Sequence, residues 1–416
     1  MSGADGPKNI VVCLDGTSNE LDHHPTNAAK VFMMLDLDDS AKQIAYYDPG
    51  VGTLPSATAH GALERWMSQV CGLAFGFGMR AKVSRAYGWL VEHYRPGDRV
   101  YIFGFSRGAY TARALAALLA RPGLLRTGSE HLVDYAVAQY VKPAGSRKAV
   151  ARRAREAKAF ADALCWGTTG RPVSAATGGF AASVPDELLR DVHAIPVEYL
   201  GVWDTVEAWF AGLGSLDWPD TCSLWNVKRL RHAVSIDEAR RPFRYLPVDR
   251  RDGFEEVWFP GVHCDVGGTF ADHELATIAL KWVFDGVSDR LLLRDRNHAA
   301  VYRRYCAVER EFAMRAPLHA NSWAWNLLIP RRRSIPDDAV LHASVRDRRE
   351  AVPSYLPRLV RAEDADRWTD ADWWMPRVTA SGSPATAVHR PAPVIRPAIT
   401  VAPVGTRTPP RVPAPV

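Results

Sequence analysis

Short apolar runs alternate with longer helical patterns through most of the 416-residue chain. Each run is of strand length, and the first two end in Asp-Gly and Pro-Gly, which is typical of a buried strand that enters a loop. Strands separated by helical segments favour a mainly parallel sheet with helices on both faces, which is an α/β fold. The predicted strands cover residues 9–16, 44–50, 100–104, 195–203 and 254–262.

Helical patterns fill the segments between these strands. The glycines of GLAFGFG (72–78) are expected to interrupt the first predicted helix. The second, RGAYTARALAALLA, is rich in alanine and leucine, as expected for a buried helix. The predicted helices cover residues 63–94, 107–120, 148–164, 227–240 and 273–284.

Two segments differ in composition from the rest of the chain. Residues 127–194 combine an alanine- and arginine-rich helix with a glycine- and serine-rich stretch, which predicts a helical insertion or lid over the core. Residues 377–416 hold nine prolines with small and basic residues, which predicts a disordered tail. The expected organisation is one α/β domain over 1–376, followed by this tail.

Composition narrows the class of protein. The chain is 47% hydrophobic, and the five arginines of the tail carry most of its formal charge of +6. The remainder is close to neutral, which argues against nucleic acid as a partner. The six cysteines are scattered without a CxxC pair, which favours a reducing compartment over a disulfide framework or a zinc ribbon. We see neither a signal-peptide pattern nor an apolar stretch of membrane-spanning length, so we expect a soluble protein, cytoplasmic as synthesised.

One serine stands where a strand meets a helix. In YIFGFSRGAYTARALAALLA (101–120), Gly104 and Gly108 flank Ser106 in the pattern G-x-S-x-G. This pattern is typical of the nucleophile elbow, in which a sharp turn exposes the serine hydroxyl at the carboxyl end of the sheet. The alternative is a tight packing turn. Because a strained non-glycine residue costs about 1–3 kcal/mol, a functional serine is the better explanation.

A nucleophilic serine needs a base and a group that orients the base. Asp204 follows the strand that ends in GVW, and His263 follows FPGV, so both are expected at the carboxyl edge of a parallel sheet. Their order after Ser106 is that of an α/β-hydrolase triad. Asp265 is an alternative acid, two residues beyond the histidine. His273 is a weaker alternative base, because it stands where a helix is expected to begin.

An acyl-transfer site also needs N–H donors for the oxyanion. One is expected from the backbone of Arg107, and the second from LDGTSN (14–19), with Gly16 or Thr17 as donor. The segment VVCLDGT also resembles an aspartyl-phosphate motif, which needs two aspartates separated by one residue. Cys13 stands at the nucleophile's position, so that interpretation fails.

Several blocks together resemble one known family. They are LDGTSN, YYDPGVGT, GDRVYIFGFSRGAYTARALAALL, LGVWDTV, WFPGVHCDVGG and LHASVRDR, in this order from about residue 10 to 350. The chain is similar to the α/β-hydrolase domain family that includes the phospholipase effectors of bacterial type VI secretion. The resemblance implies an α/β-hydrolase fold, cleavage of phospholipid esters, and a triad of Ser106, Asp204 and His263. It also implies export by a specialised secretion system without a signal peptide.

We therefore expect a serine hydrolase that cleaves carboxylic esters, of phospholipids or other lipids, through an acyl-enzyme. Asp15, Gly104, Gly108 and Asp265 are expected to support the site. We expect no metal and no organic cofactor. Lipid or ester substrates are the expected partners, with transient contact to a membrane surface, and the sequence does not indicate an oligomeric state.

Two other classes of function stay open from the sequence. One is a metal-assisted hydrolase that uses Asp15, His23 or Asp265. The other is a catalytically idle member of the same fold that acts as an interaction module.

Two aromatic segments allow alternative interpretations as well. SWAWNLLIPRRRS (322–334) suits either a lipid headgroup boundary or a packed surface segment with a solvated basic end. Trp209, Trp218 and Trp225 suit either an acyl-chain pocket or the core.

Overall fold

The computed structural model describes ten stretches of the chain, all within the unit Met1–Ala385. The predicted tail, 377–416, lies outside the described residues, and so do residues 142–146 and 168–192 of the predicted insertion. The described stretches are 6–16, 24–50, 75–141, 147–167, 193–208, 218–240, 243–294, 298–319, 333–355 and 368–375.

An eight-stranded parallel sheet organises the described residues. Its strands are β1 (Asn9–Leu14), β2 (Gln43–Asp48), β3 (Arg99–Phe105), β4 (Val197–Trp203), β6 (Leu230–Ser235), β8 (Phe254–Phe259), β9 (Val340–His342) and β10 (Trp368–Thr369). Two further short strands, β5 (Val206–Ala208) and β7 (Phe243–Tyr245), form a separate antiparallel pair. The order in the large sheet is β10-β9-β8-β6-β4-β3-β1-β2, and each neighbouring pair runs parallel. The predicted α/β architecture with a mainly parallel sheet is therefore confirmed.

Helices connect these strands and cover the sheet. The described helices are α1 (Asn27–Met34), α2 (Phe75–His93), α3 (Arg107–Ala120), α4 (Val133–Val141), α5 (Arg147–Leu164), α6 (His263–Gly267), α7 (Glu274–Asp285), α8 (His298–Cys306), α9 (Arg310–Arg315) and α10 (Ala343–Ala351). Two of them, α4 and α5, lie between α3 and β4 along the chain, where the helical insertion is expected, and a short 3₁₀ turn (Glu130–Leu132) precedes α4.

The predicted interruption of the first long helix is wrong for its described part. Gly76 and Gly78 lie inside α2, and Gly78 has open space where a side chain would stand. Each glycine weakens a helix by about 0.5–1 kcal/mol relative to alanine. The buried face of α2, which includes Val83, Tyr87 and Leu90, packs into the core and outweighs that local cost.

The helix predicted over 227–240 is also wrong. The structure has β6 at Leu230–Ser235, which pairs in parallel with β4 on one side and with β8 on the other. Leu230, Ala233 and Val234 are fully buried there. The apolar residues of LRHAVS follow neither a clear helical nor a clear strand repeat. Hydrogen bonding to the backbone N–H and C=O groups of the two flanking strands determines the conformation of this segment.

Alternate residues of the central strands supply two separate apolar layers. In β1, Ile10 and Val12 belong to the layer on one face of the sheet, and Val11 and Cys13 to the layer on the other. Helix α3 packs in the first layer and α7 in the second. The strands are buried on both faces, which explains why their sequences are almost continuously apolar.

One glycine in β4 allows the second layer to pack against the sheet. A Cβ atom at Gly201 would lie 2.7 Å from Phe103 Cδ1 and 2.7 Å from Val283 Cγ1. A side chain at this position therefore requires the neighbouring core residues to move.

We predict that Gly201→Ala destabilises the protein by about 1–3 kcal/mol, because added volume in a packed core forces strain. The matched substitution Gly78→Ala, at an exposed helical position, should stabilise it by about 0.5–1 kcal/mol. Urea unfolding of the two variants beside the unsubstituted protein measures both effects. Equal free energies of unfolding for the two variants would contradict this account of the core.

Candidate active site

Ser106 occupies a strained turn between β3 and α3. Its backbone angles are φ 60° and ψ −123°, in a region that residues with a side chain rarely adopt. The flanking glycines allow the backbone of this turn to pack closely against neighbouring backbone. A Cβ atom at Gly104 would lie 2.6 Å from the carbonyl oxygen of Gly108, and one at Gly108 would lie 2.2 Å from that of Leu14. Ser106 thus lies directly between the end of β3 and the start of α3.

Three side chains from distant parts of the chain form one hydrogen-bonded line. The His263 Nε2 atom lies 2.7 Å from Ser106 Oγ, and its Nδ1 atom lies 2.5 Å from Asp204 Oδ2. Asp204 follows β4, and His263 begins α6 after β8. The carboxyl ends of parallel strands share one edge of the sheet, and this brings the three predicted residues together.

Asp204 is a buried carboxylate with an extensive set of partners. Its Oδ1 atom accepts a hydrogen bond of 2.9 Å from the Ser235 N–H. Arg333 binds both carboxylate oxygens, with 3.0 Å between Nη2 and Oδ2. Burial alone would raise the pKa of Asp204, but the Arg333 charge and the His263 hydrogen bond outweigh it and hold that pKa well below its ordinary value. Asp204 is therefore ionised at neutral pH.

The surroundings of His263 favour the neutral imidazole. Burial lowers the pKa of His263, while the nearby Asp204 opposes that shift only in part. The centroid of its ring lies 4.7 Å from that of Phe105 and 4.9 Å from that of Phe243, and the Phe243 pair is T-shaped. The buried carboxylate of Glu238 accepts a hydrogen bond of 3.2 Å from the His263 backbone N–H. A neutral imidazole that is fixed in this way can accept a proton from the serine.

The alternative site residues have other partners. Asp265 Oδ1 lies 2.7 Å from Nδ1 of His319, and Asp265 Oδ2 accepts the backbone N–H of Val262 at 2.9 Å. Burial raises the pKa of Asp265. His273 is exposed at the start of α7, with its Nδ1 atom 2.9 Å from the carbonyl oxygen of Ala271. Of the two candidate acids, the structure places Asp204 against the histidine ring.

The expected oxyanion donors are only partly described. Arg107 is the first residue of α3, directly after Ser106, and burial lowers the pKa of its side chain to about 10. The Gly16 N–H donates to Asp15 Oδ1 at 2.8 Å, and the hydroxyl of Tyr47 donates to Asp15 Oδ2 at 2.9 Å. Thr17 lies outside the described residues. Asp15 thus holds the start of this loop in place next to β1.

Three observations bear on the other sequence hypotheses. Within the described stretches, no group of three His, Cys, Asp or Glu side chains could hold a metal ion, and His23 lies outside them. Trp218 is buried in the core beside Tyr140, with 5.7 Å between ring centroids, whereas Trp209 is not among the described residues. The helices that the structure describes include none that could span a membrane.

Sequence reasoning missed Arg333 as part of the site. It ends the run of three arginines in 331–333 that suggested a solvated or lipid-facing basic surface. The other two arginines of the run lie outside the described residues, but the side chain of Arg333 is only 5% exposed. A run of basic residues carries no local signal that one of them is buried against a carboxylate.

Comparison with known proteins identifies relatives of this chain. Residues 8–286 match the family described as "T6SS, Phospholipase effector Tle1-like, catalytic domain". The uncharacterized protein YEL023C of Saccharomyces cerevisiae is 31% identical over 245 residues, which are 58% of this chain and 32% of that protein. The chain thus corresponds to about a third of this relative's length.

Two solved structures are also similar. An uncharacterized protein from Pseudomonas aeruginosa is 20% identical, with a TM-score of 0.39, over 75% of this chain and 50% of that one. The Tle1 effector bound to the VgrG spike of the type 6 secretion system is 16% identical, with a TM-score of 0.33, over 63% of this chain and 51% of that one. Because the family match covers more than half of the chain, this protein belongs to the family of Tle1-like type VI secretion phospholipase effectors, through their catalytic domain.

Proposed function

We propose that this protein is a serine hydrolase that cleaves carboxylic esters of phospholipids or other lipids. The observation that carries the proposal is the continuous hydrogen-bonded line from Ser106 through His263 to Asp204. A serine hydroxyl, an imidazole and a buried carboxylate in this order can perform acyl transfer. The family description supports the choice of a lipid ester as substrate.

The first half of the reaction forms an acyl-enzyme. His263 Nε2 accepts the proton of the Ser106 hydroxyl while Oγ attacks the ester carbonyl carbon. The imidazole becomes positively charged, and the ionised Asp204 stabilises that charge and keeps the proton on Nδ1. When the tetrahedral intermediate collapses, the imidazolium donates its Nε2 proton to the leaving alcohol. The acyl group then remains on Oγ.

The second half of the reaction regenerates the serine. His263 accepts a proton from a water molecule, and the resulting hydroxide attacks the acyl carbon. A second tetrahedral intermediate collapses, the proton returns to Ser106 Oγ, and a fatty acid leaves. Both intermediates carry a negative oxygen that needs N–H donors.

The donors in this proposal are the backbone N–H of Arg107 and one from the loop 14–19. For Gly16 to serve as the second donor, its N–H would exchange Asp15 Oδ1 for the oxyanion during the reaction. Thr17 is the other donor in the same loop.

The family description also names a route of delivery, and our proposal includes export by a type VI secretion system. A lipid substrate requires transient contact with a membrane surface. The tryptophan-containing segment 322–334 is one candidate for that contact, beside the alternative of a packed surface segment, and Arg333 is excepted because its side chain is buried.

Replacement of the proposed nucleophile tests the chemistry directly. Ser106→Ala should abolish covalent labelling by a fluorophosphonate and should lower ester hydrolysis by about 10³-fold or more. Ser84→Ala, at a half-buried position on α2 where the hydroxyl donates to Asp134 Oδ1 at 3.0 Å, is the control and should keep full labelling. The measurements are gel-based labelling and release of fatty acid from phospholipid vesicles.

Persistent labelling of the Ser106 variant would contradict the proposed nucleophile. Hydrolysis that is blocked by chelators and indifferent to fluorophosphonates would favour a metal-assisted hydrolase. A protein that neither labels nor hydrolyses any ester would favour the interaction module.

The two candidate acids can be separated by parallel substitutions. Asp204→Asn should lower kcat by about 10⁴-fold, since the wrong imidazole tautomer then faces the serine. Asp265→Asn should leave kcat within about tenfold, because its carboxylate binds His319 rather than the catalytic ring. Steady-state kinetics of both variants on one soluble ester decide between them. The reverse ranking would make Asp265 the triad acid.

The pH profile should report the titration of His263. Because only the neutral imidazole accepts a proton, kcat/KM should rise with pH through the His263 pKa and then reach a plateau. Burial lowers that pKa, so we expect the midpoint below the ordinary value of 6.5. The profile is measured with an uncharged ester, with circular dichroism at each pH to confirm folding. A midpoint above the ordinary value would contradict this assignment of the base.

A further inference from the structure

We propose that Arg333 is a positioning residue for this hydrolase, which holds the Asp204 carboxylate in the orientation that His263 requires. This inference rests on the proposed function and extends it to a residue beyond the matched family region, which ends at residue 286. Arg333 does not touch the serine or the reacting ester. It acts through Asp204.

The guanidinium of Arg333 is held from three directions. Nη2 donates to Asp204 Oδ2 at 3.0 Å, and Nη1 donates to the other oxygen of the same carboxylate. Nη1 also donates to Ser235 Oγ at 2.8 Å, at the end of β6. Nε and Nη2 both donate to the Phe243 carbonyl oxygen, at 3.1 and 2.8 Å. A planar group with this many partners has little freedom to rotate.

The forked contact fixes the plane of the carboxylate. Asp204 Oδ2 accepts from Arg333 and lies 2.5 Å from His263 Nδ1, while Oδ1 accepts from Arg333 and from the Ser235 N–H. Without the fork, the carboxylate could rotate about its Cβ–Cγ bond and the bond to the imidazole would lengthen. The ring would then lose the tautomer that presents an unprotonated Nε2 to Ser106.

The charge of Arg333 also keeps the carboxylate ionised. Asp204 is almost completely buried, and burial favours the neutral acid. Removal of Arg333 therefore raises the pKa of Asp204. It also leaves the full negative charge of the ionised form acting on His263, which raises the pKa of the imidazole. Both changes move the acid limb of activity to higher pH.

The experiment compares Arg333→Met, which keeps the aliphatic bulk, with Arg333→Lys, which keeps the charge but loses the fork. The matched control is Arg310→Met, because Arg310 makes a similar two-nitrogen contact with Asp347, at 3.1 and 3.0 Å. The full chain is used throughout. The readouts are the rate of fluorophosphonate labelling, the pH profile of kcat/KM on a soluble ester, and the urea midpoint of each variant.

We expect Arg333→Met to lower kcat/KM and the labelling rate by about 10- to 100-fold, because the charge-assisted hydrogen bonds to Asp204 are lost. Its acid limb should move upward by about half a pH unit or more. Compared with Arg333→Met, Arg333→Lys should bring the pH midpoint closer to the wild-type value than it brings kcat/KM, because lysine keeps the charge but not the forked contact. Arg310→Met should leave both the rate and the midpoint of the folded protein unchanged.

Two results would overturn the positioning role while the proposed function stands. One is an Arg333→Met protein with the wild-type rate and midpoint. The other is a loss of rate that matches the unfolded fraction in both methionine variants, with unchanged pH midpoints, which would make Arg333 a purely structural residue. Failure of the wild-type protein to label at Ser106 would instead overturn the proposed function, and the positioning role with it.

Discussion

The site depends on a negative charge that is buried at the end of β4. Transfer of a carboxylate from water into a protein interior costs several kcal/mol unless charged and hydrogen-bonding partners replace the water. At Asp204 the partners are His263, Arg333 and the backbone N–H of Ser235. They come from separate segments of the chain, so the charge becomes tolerable only when all of these segments have assembled at the sheet edge. Folding and formation of the site are therefore coupled.

The positions of the site residues depend on helices that pack very closely against the strands of the sheet. The N-terminus of α3 reaches the end of β1 because Gly108 has no side chain. Gly267 likewise allows α6 to lie close to β3, because a Cβ atom there would lie 1.8 Å from the Phe105 ring. That ring packs against His263. Phe105 belongs to the second apolar layer and also contacts the His263 ring. The packing of that layer therefore helps to set the position of the imidazole. Substitution of either glycine would displace the elements that carry Ser106 and His263.

Local sequence signals identified most elements of the sheet but not all of them. The five predicted strands correspond to β1, β2, β3, β4 and β8, because each contains a short run of mostly apolar residues. The runs are clearest in β1 and β3, which are buried almost throughout. Three strands of the sheet have no predicted counterpart: β9, β10 and β6, and the sequence predicts a helix in place of β6. Its sequence mixes Arg231 and His232 with apolar residues, and pairing with two neighbouring strands decides its conformation. Arg231 donates to the Trp282 carbonyl oxygen, and His232 contacts Glu256, so both polar side chains find partners that only the folded chain supplies.

The sequence by itself determined the parallel α/β arrangement and the candidate serine, histidine and aspartate. Each of these follows from short-range patterns: apolar runs, a glycine-flanked turn and polar residues at strand ends. Only the tertiary structure decided which acid meets the imidazole and which cation balances that acid. Arg333 is 129 residues from Asp204, and His263 is 59 residues from it. Pairing over such distances is chosen by which segments reach the same edge of the sheet, and no local pattern encodes it.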